Sequence, residues 1–327
     1  MNKNGTYILY GNVLSVKGFS RSALYDLQFN KIELIPNELY DLFNNGGVVL
    51  NDYSKYNLSL TVEELEEYIE YLVDLNLVFH TYFPELFPKI STTYCNPYII
   101  TNAIIDIETD SFANFNYTNV LEQLENLGCT AIQLNLLNLN KNDFDKIKEI
   151  ISAFEIGNIF LILSENKDFN INDFTRLNSI KTIIIHSSKP EKIQEQSNTK
   201  IFFIKKELKS CCSNAINPEL FTINMDFVIE SINYNSCLNR KLYIDKNGEV
   251  KNCPMIERKY GNILENNIID IVNKKEFQEL WTINKDKIEV CKDCELRYMC
   301  FDCRANLKTL YSAPSCKYNP YTGKWRK

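Results

Sequence analysis

Short apolar runs recur at 99–107, 131–137, 159–163, 180–185, 200–204 and 221–225, and helical patterns lie between several of them. In the segment 116–128, Val120, Leu121, Leu124 and Leu127 share one helical face, and Gly128 follows as a C-cap signal. The segment 142–157 repeats the pattern with Phe144, Ile147, Ile150, Ile151 and Phe154. Buried parallel strands read as continuous apolar runs, so this alternation predicts a parallel sheet or part of a barrel. Most of the runs start about 20 to 28 residues apart, short for an enzyme barrel, and predict a trimmed half-barrel. Within it, 191–200 reads as a polar surface linker.

The first ~90 residues have a different rhythm. Segments 6–16 and 22–35 read as strands with a turn between them. Pro36 is well placed to open a short helix. A longer helix follows over 61–75, with Thr61 at its N-cap and Glu64 three residues on, a capping box. Leu65, Ile69, Leu72 and Leu75 fall on its inner face, and a strand over 78–82 follows. This is the element order of a small winged-helix domain. A DNA-binding version is disfavoured because the sequence TVEELEEYIEYLVD gives the helix an acidic surface that repels phosphates.

At 327 residues, two to three domains and a sizeable core are expected. The net charge of −6 disfavours a nucleic-acid partner, and no apolar stretch reaches the length of a membrane span. The N-terminus has no run long enough for a secretory signal, so the chain is expected to be cytoplasmic. In that compartment clustered cysteines bind metal more often than they pair.

Seven of the 11 cysteines lie in the last 91 residues. Cys237 is followed by ten residues, Gly248, four residues and Cys253; then come Cys291, Cys294, Cys300, Cys303 and Cys316. Two cysteines separated by two residues bite one metal from a tight turn, and thiolates suit both iron–sulfur clusters and zinc. The spacing resembles the SPASM domain, the C-terminal cluster-binding extension of many radical SAM peptide maturases. The one departure is a gap of two residues rather than three between Cys300 and Cys303. The hairpin at Lys246-Asn247-Gly248 that presents Cys253 has the family look, since Asn-Gly favours a turn with positive φ at both positions. The resemblance implies that Cys291, Cys294, Cys300 and Cys316 hold one 4Fe–4S cluster. It implies that Cys237, Cys253 and Cys303 hold three irons of a second, whose fourth ligand is absent or comes from upstream, with Cys211 and Cys212 as candidates. One or two zinc sites remain the alternative. Among the basic residues near these cysteines, Lys251, Lys292, Arg297, Arg304 and Lys317 are candidates to offset thiolate charge, or are ordinary surface charges. The aromatic tail YNPYTGKW is expected to pack over a cluster.

No CX3CX2C occurs in the sequence, and the loop 108–119 after the first barrel strand has no cysteine. SAM is therefore not expected as a cofactor. The Gly-Gly-Glu-like segment expected after the second strand is also missing; NLLNLN stands there. Cys95 and Cys129 read as buried small apolar residues. His80 and His186 read as structural or solvated, and neither a G-x-S-x-G elbow nor a phosphate loop occurs. The N-terminal pattern resembles the RiPP recognition element, a leader-peptide-binding domain, by topology rather than by a fixed motif.

In order along the chain these pieces resemble the SPASM protein of grasp-with-spasm systems, which is encoded with an ATP-grasp ligase and a precursor peptide. The expectation is an α/β multidomain protein with three parts. Residues 1–92 form a winged-helix-like recognition element, 93–232 a degenerate radical-SAM-like partial β/α barrel, and 233–327 a Cys-rich SPASM domain. The implied partners are a precursor (leader) peptide and an ATP-grasp ligase. Three roles stay open: an adaptor that presents the peptide, a cluster-dependent electron-transfer maturase, and a zinc-stabilised scaffold. No catalytic residue is assigned.

Overall fold

The computed structural model describes residues 3–189, 191–207, 219, 221–301, 303, 304, 311–313 and 316–326. Its N-terminal part contains β1 (Thr6–Leu9), β2 (Val13–Lys17), β3 (Ser22–Asp26), β4 (Lys31–Ile35), α1 (Asn37–Asn44), α2 (Val62–Asp74) and β5 (Val78–Thr81). Each of the two long strands expected here is broken in two. A turn at 10–12 separates β1 from β2 and sends them to different sheets: β1 pairs with β5, while β2, β3 and β4 form an antiparallel meander. The expected strand 22–35 folds into the β3–β4 hairpin. Asp26 causes the break: its Oδ1 accepts from the backbone N–H of Gln28 (3.0 Å) and Phe29 (3.1 Å), and Asn30 takes the left-handed conformation at φ 56°.

The longer helix starts where its capping box predicts, with Thr61 Oγ1 accepting from Glu64 N–H and Glu64 reaching back to Thr61 N–H. Leu65, Ile69 and Leu72 are fully buried against Leu24, Leu39 and Phe43. Leu75, expected on the same face, is 42% exposed because it is the C-cap, where the chain leaves the helix.

The central part contains β6 (Asn102–Glu108), α3 (Ser111–Asn114), α4 (Tyr117–Asn126), β7 (Ala131–Leu137), α5 (Lys141–Ser152), β8 (Asn158–Ser164), α6 (Ile171–Thr175), β9 (Ile180–His186), β10 (Lys192–Gln196) and β11 (Thr199–Phe203). Gly128 stands at φ +83° after α4, as the C-cap signal predicted. Two expectations fail. The stretch 191–200 holds an edge strand, β10, which turns at 197–198 and pairs antiparallel with β11; its polar character is that of a charged sheet edge. The run at 221–225 is not a strand, because Asn224 accepts from Phe227 N–H (2.9 Å) and caps α7 (Met225–Asn233).

After α7 come β12 (Lys241–Ile244), β13 (Glu249–Lys251), β14 (Gly261–Asn262), α8 (Ile268–Val272), α9 (Lys275–Gln278), β15 (Tyr318–Asn319) and β16 (Lys324–Trp325). One nine-stranded sheet runs β10-β11-β9-β8-β7-β6-β12-β13-β14. From β11 to β12 every neighbouring pair is parallel. The fold is thus mixed α/β with a large parallel sheet. Strand β7 alternates between half-buried and buried positions. Ile132, Leu134 and Leu136 enter the main core with residues of α4 and α5, while Gln133 and Asn135 lie on the opposite face, where Asp106 accepts from Asn135 (2.7 Å) and from Tyr243 Oη (2.6 Å). Burial raises the pKa of Asp106 above the ordinary carboxyl value, against these hydrogen bonds.

Candidate metal centre

Cys237 and Cys253 sit in loops fixed by buried polar side chains. Cys237 follows α7, where the fully buried Asn235 accepts from the N–H of Cys237 and of Leu238 (both 3.0 Å) and donates to Ile283 O (3.1 Å). Cys253 follows β13, where buried Asn252 donates to Phe277 O (3.0 Å). The turn before Cys253 differs in detail from expectation. Gly248 alone takes positive φ (+77°), while Asp245 Oδ1 receives the N–H of Asn247 (2.9 Å) and Glu249 (3.0 Å). A Cβ at position 248 would stand 2.6 Å from the Phe115 ring, so both backbone and space demand glycine.

Cys237 and Cys253 are buried in one apolar cluster with Leu238, Leu280, Ile283 and Ile288, and Cys291 packs against its side. Val290, just before Cys291, has φ +66°, a conformation that β-branched residues rarely adopt. Such strain persists only where surroundings enforce it, and here it aims the CX2C turn. Cys294 N–H closes that turn on Cys291 O (3.0 Å).

The sulfurs have donors around them. Leu296 N–H donates to Cys294 Sγ, Tyr318 N–H to Cys316 Sγ and Lys285 Nζ to Cys300 Sγ, each at 3.4 Å. Burial pushes the Cys294 thiol far above its ordinary pKa, and Glu295, Cys300 and Cys291 add to the effect. A metal bound there would displace that proton. Cys300 and Cys303 are buried, Cys291 and Cys294 half-buried, and Cys316 exposed. The thiol-only donor set, the apolar walls and the N–H groups aimed at sulfur fit a thiolate-bound group. Among the described residues, no three His, Cys, Asp or Glu side chains come together as a site for a single metal ion. Cys211 and Cys212, the candidate upstream ligands, lie outside the described residues.

Strand β3 of the N-terminal meander docks on this cysteine loop. Glu295, between Cys294 and Leu296, is completely buried. Its Oε1 accepts from Arg21 Nε (2.8 Å) and from Tyr318 Oη, and its backbone carbonyl accepts from Tyr25 Oη (2.6 Å). Phe19 N–H donates to Asp293 O (2.8 Å), and Arg297 donates to Lys17 O (2.7 Å). The aromatic tail reaches the same place: Tyr321 Oη donates to Asp293, and Tyr318 packs on Trp325 at 5.1 Å between centroids.

Of the basic candidates, Lys251 pairs with Asp245 (2.7 Å) and Arg297 with Asp286 (2.8 Å); Lys292 and Lys317 are exposed, and Arg304 is buried. Lys285, which no spacing rule singles out from Lys287, is a buried cation beside a candidate ligand. Cys129 is buried as expected, and burial raises its thiol to about 12. Cys95 is exposed, contrary to expectation, because no helix or strand forms between 88 and 101 to bury it. His80 lies edge-on to Tyr7 and Tyr82, and His186 is half-buried beside Ser187, placements in keeping with structural roles.

Residues 236–295 match the family model SPASM, described as an iron–sulfur cluster-binding domain. That span holds Cys237, Cys253, Cys291 and Cys294. No curated protein matches the chain in sequence. Among solved structures, the crystal structure of Streptococcus suis SuiB is similar to this chain at 11% identity, covering 93% of this chain and 98% of that one, with a TM-score of 0.34. SuiB bound to its precursor peptide SuiA gives 11% identity, 94% and 98% coverage, and a TM-score of 0.33. SuiB bound to S-adenosylmethionine gives 12%, 93% and 98%, and 0.33.

Proposed function

We propose that this protein takes part in the maturation of a ribosomal peptide: it grips a precursor peptide and carries one or two 4Fe–4S clusters. The observation that carries the reading is the SPASM match over 236–295, joined to a cysteine series that continues through Cys300, Cys303 and Cys316. Cys291, Cys294, Cys300 and Cys316 would hold the first cluster, and Cys237, Cys253 and Cys303 the second. Bound there, iron–sulfur clusters supply electron transfer or a rigid metal-held fold. The chain's own residues bury Cys237, Cys253, Cys300 and Cys303 and aim backbone N–H groups at Cys294 and Cys316. The missing CX3CX2C supports a role without SAM chemistry, so the protein acts as an adaptor for a cytoplasmic ATP-grasp ligase that modifies the peptide. The grasp-with-spasm assignment rests on the resemblance in domain order and cysteine spacing.

The peptide's place would be the groove between β4 and α2. Tyr25 and Asp26 belong to β3, which is paired on both sides. Among the described residues, strand β4 pairs on one side only and offers an edge for an added strand. A cavity of about 260 Å³ lies there, lined by Phe29, Ile32, Glu33, Leu75 and Leu77. Phe29 and Leu75 in its lining are 61 and 42% exposed, and Tyr71, beside Glu33, is 47% exposed. Unpaired backbone beside apolar pockets suits a peptide with large apolar side chains at alternate positions.

Metal and sulfide analysis of protein purified without oxygen is the deciding experiment. Iron with acid-labile sulfide supports the reading. Stoichiometric zinc without sulfide replaces it with a zinc-stabilised scaffold.

A further inference from the structure

We infer that the β4–α2 groove selects a peptide strand of alternating character, with lysine or arginine at the positions that face α2 and apolar side chains at those between. The inference rests on the proposed peptide-binding reading and adds the ligand's charge to it. Strand β4 has two chemically different faces. Glu33 lies opposite Leu24, which belongs to the N-terminal core with Leu65, Ile69 and Leu72 of α2. Ile32 lies opposite Tyr25 and packs with it in a separate cluster that includes Leu296 and Met299. Side chains alternate along a strand, so Lys31 and Glu33 share the α2 side, and Ile32 and Leu34 the other. A strand added to the edge of β4 inherits this alternation, because residues directly opposite one another point to the same face. Beside Ile32 and Leu34, which is 37% exposed, apolar side chains fit.

The α2 side is acidic. Helix α2 carries Glu63, Glu64, Glu66, Glu67, Glu70 and Asp74 and no lysine or arginine. Glu64, Glu67, Tyr71, Asp74 and Leu75 follow one another at helical spacing and form one exposed stripe. Tyr71 stands beside Glu33 and Leu75 lines the cavity, so the stripe runs along the groove. Among the described residues, no lysine or arginine pairs with Glu33, Glu67 or Asp74. Lys31, at the start of β4, is the one base in the cavity lining. The carboxylates thus border a cavity, an edge strand and two exposed apolar side chains at once. A lysine or arginine suits that combination: its methylene stem covers Leu75, and its cation lies against the Tyr71 ring or reaches the carboxylates. An acidic side chain there meets charges of its own sign, which disfavours it.

The test uses full-length protein and three fluorescein-labelled peptides of about ten residues, the length of a strand. One alternates Lys and Leu, one alternates Gln and Leu, and the third has the lysines and leucines of the first in two separate blocks. Fluorescence anisotropy gives each Kd at about 50 and about 500 mM salt. At low salt the alternating Lys-Leu peptide should bind about tenfold more tightly than either other peptide, since one exposed ion pair contributes little and three act together. High salt should narrow the gap to about threefold. The combined variant Glu33→Gln, Glu67→Gln, Asp74→Asn should lose the gap while keeping its circular dichroism. Glu64 stays in place because it closes the cap of α2. Should the combined variant not fold, Glu67→Gln with Asp74→Asn decides. Glu122→Gln with Glu149→Gln, exposed acids of α4 and α5, should keep the gap. Equal Kd values for the Lys-Leu and Gln-Leu peptides overturn the inference. A gap that survives the combined variant, or that the remote pair also removes, overturns it too, by making the attraction one of net charge. A block peptide that binds as tightly as the alternating one overturns the alternation. In each of these cases a Tyr71→Asp variant that weakens Gln-Leu binding leaves the groove reading standing. If none of the three peptides binds, the groove reading falls and the inference with it.

Discussion

Replacing Arg21 with Met should loosen the contact between the N-terminal meander and the cysteine loop by about 2 kcal/mol. Glu295 is wholly buried, and Arg21 Nε meets its carboxylate at 2.8 Å. Removing one partner of a buried pair typically costs about 3–5 kcal/mol, because the remaining charge is left in low dielectric. Two features reduce that figure here. The Arg21 side chain keeps 36% of its surface in solvent, and Tyr318 continues to donate to Glu295. The loss should appear as local opening, so the assay is hydrogen exchange read on the segments 15–25 and 291–298. A cost of 2 kcal/mol corresponds to roughly 30-fold faster exchange there. The double variant Arg21→Met with Glu295→Gln should recover much of the loss, since it removes both charges. A coupling below about 0.5 kcal/mol in that cycle would show that the pair does not hold the junction, and would refute the reasoning.

Other outcomes follow from the same structure. Cys294→Ala should lower iron content and destabilise the C-terminal region, measured by metal analysis and urea titration, because bound metal contributes directly to folding free energy. Incubation with SAM and strong reductant should give no 5′-deoxyadenosine above background, with or without a precursor peptide, since the loop 108–119 offers no cysteine. Tyr71→Asp, on the exposed wall of the β4–α2 groove, should weaken peptide binding at least tenfold by fluorescence anisotropy, about 1.4 kcal/mol. Tyr68 is a poorer choice there because it packs partly on the N-terminal core. Burial raises Cys129 and Tyr117 each to about 12, above their unfolded values of 9.0 and 10.0. Both groups keep their protons longer in the folded chain, so their contribution is complete below pH ~9 and is lost as pH rises toward 12, by up to ~1.4 kcal/mol per pH unit for each group. Urea midpoints that stay flat between pH 9 and 11.5 would contradict this.

The sequence made some features readable because one local force decides them. The capping box at Thr61 and Glu64 and the C-cap at Gly128 are set within four residues, and both stand where expected. The parallel strands were legible because apolar runs have few other uses in a chain of this charge. The failures lie where a single side chain outvotes the run. Asp26 turns the expected long strand into a hairpin, and Asn224 starts a helix where apolar residues suggested a strand. Tertiary position was the least legible. Nothing in the spacing distinguishes Lys285 from Lys287, or marks Glu295 as the buried anchor for Arg21, because both depend on partners 15 and 274 positions away.

The parallel pairing of β12 with β6 has a consequence for how the chain is made. Asn102 faces Lys241 in that register, and the neighbouring Thr101–Arg240 contact spans 139 positions. At ribosomal speeds of about 5–20 residues per second, β6 waits some 7–28 seconds for the strand that completes its edge. During that interval its unpaired N–H and C=O groups are a template for other chains. Any fragment ending before residue 241 keeps that open edge permanently, so shortened forms should collect in aggregates while the full-length chain stays dispersed. The central sheet is therefore finished by the cysteine-bearing part of the molecule, and biosynthesis has to reach β12 before the first strand of the sheet is safe.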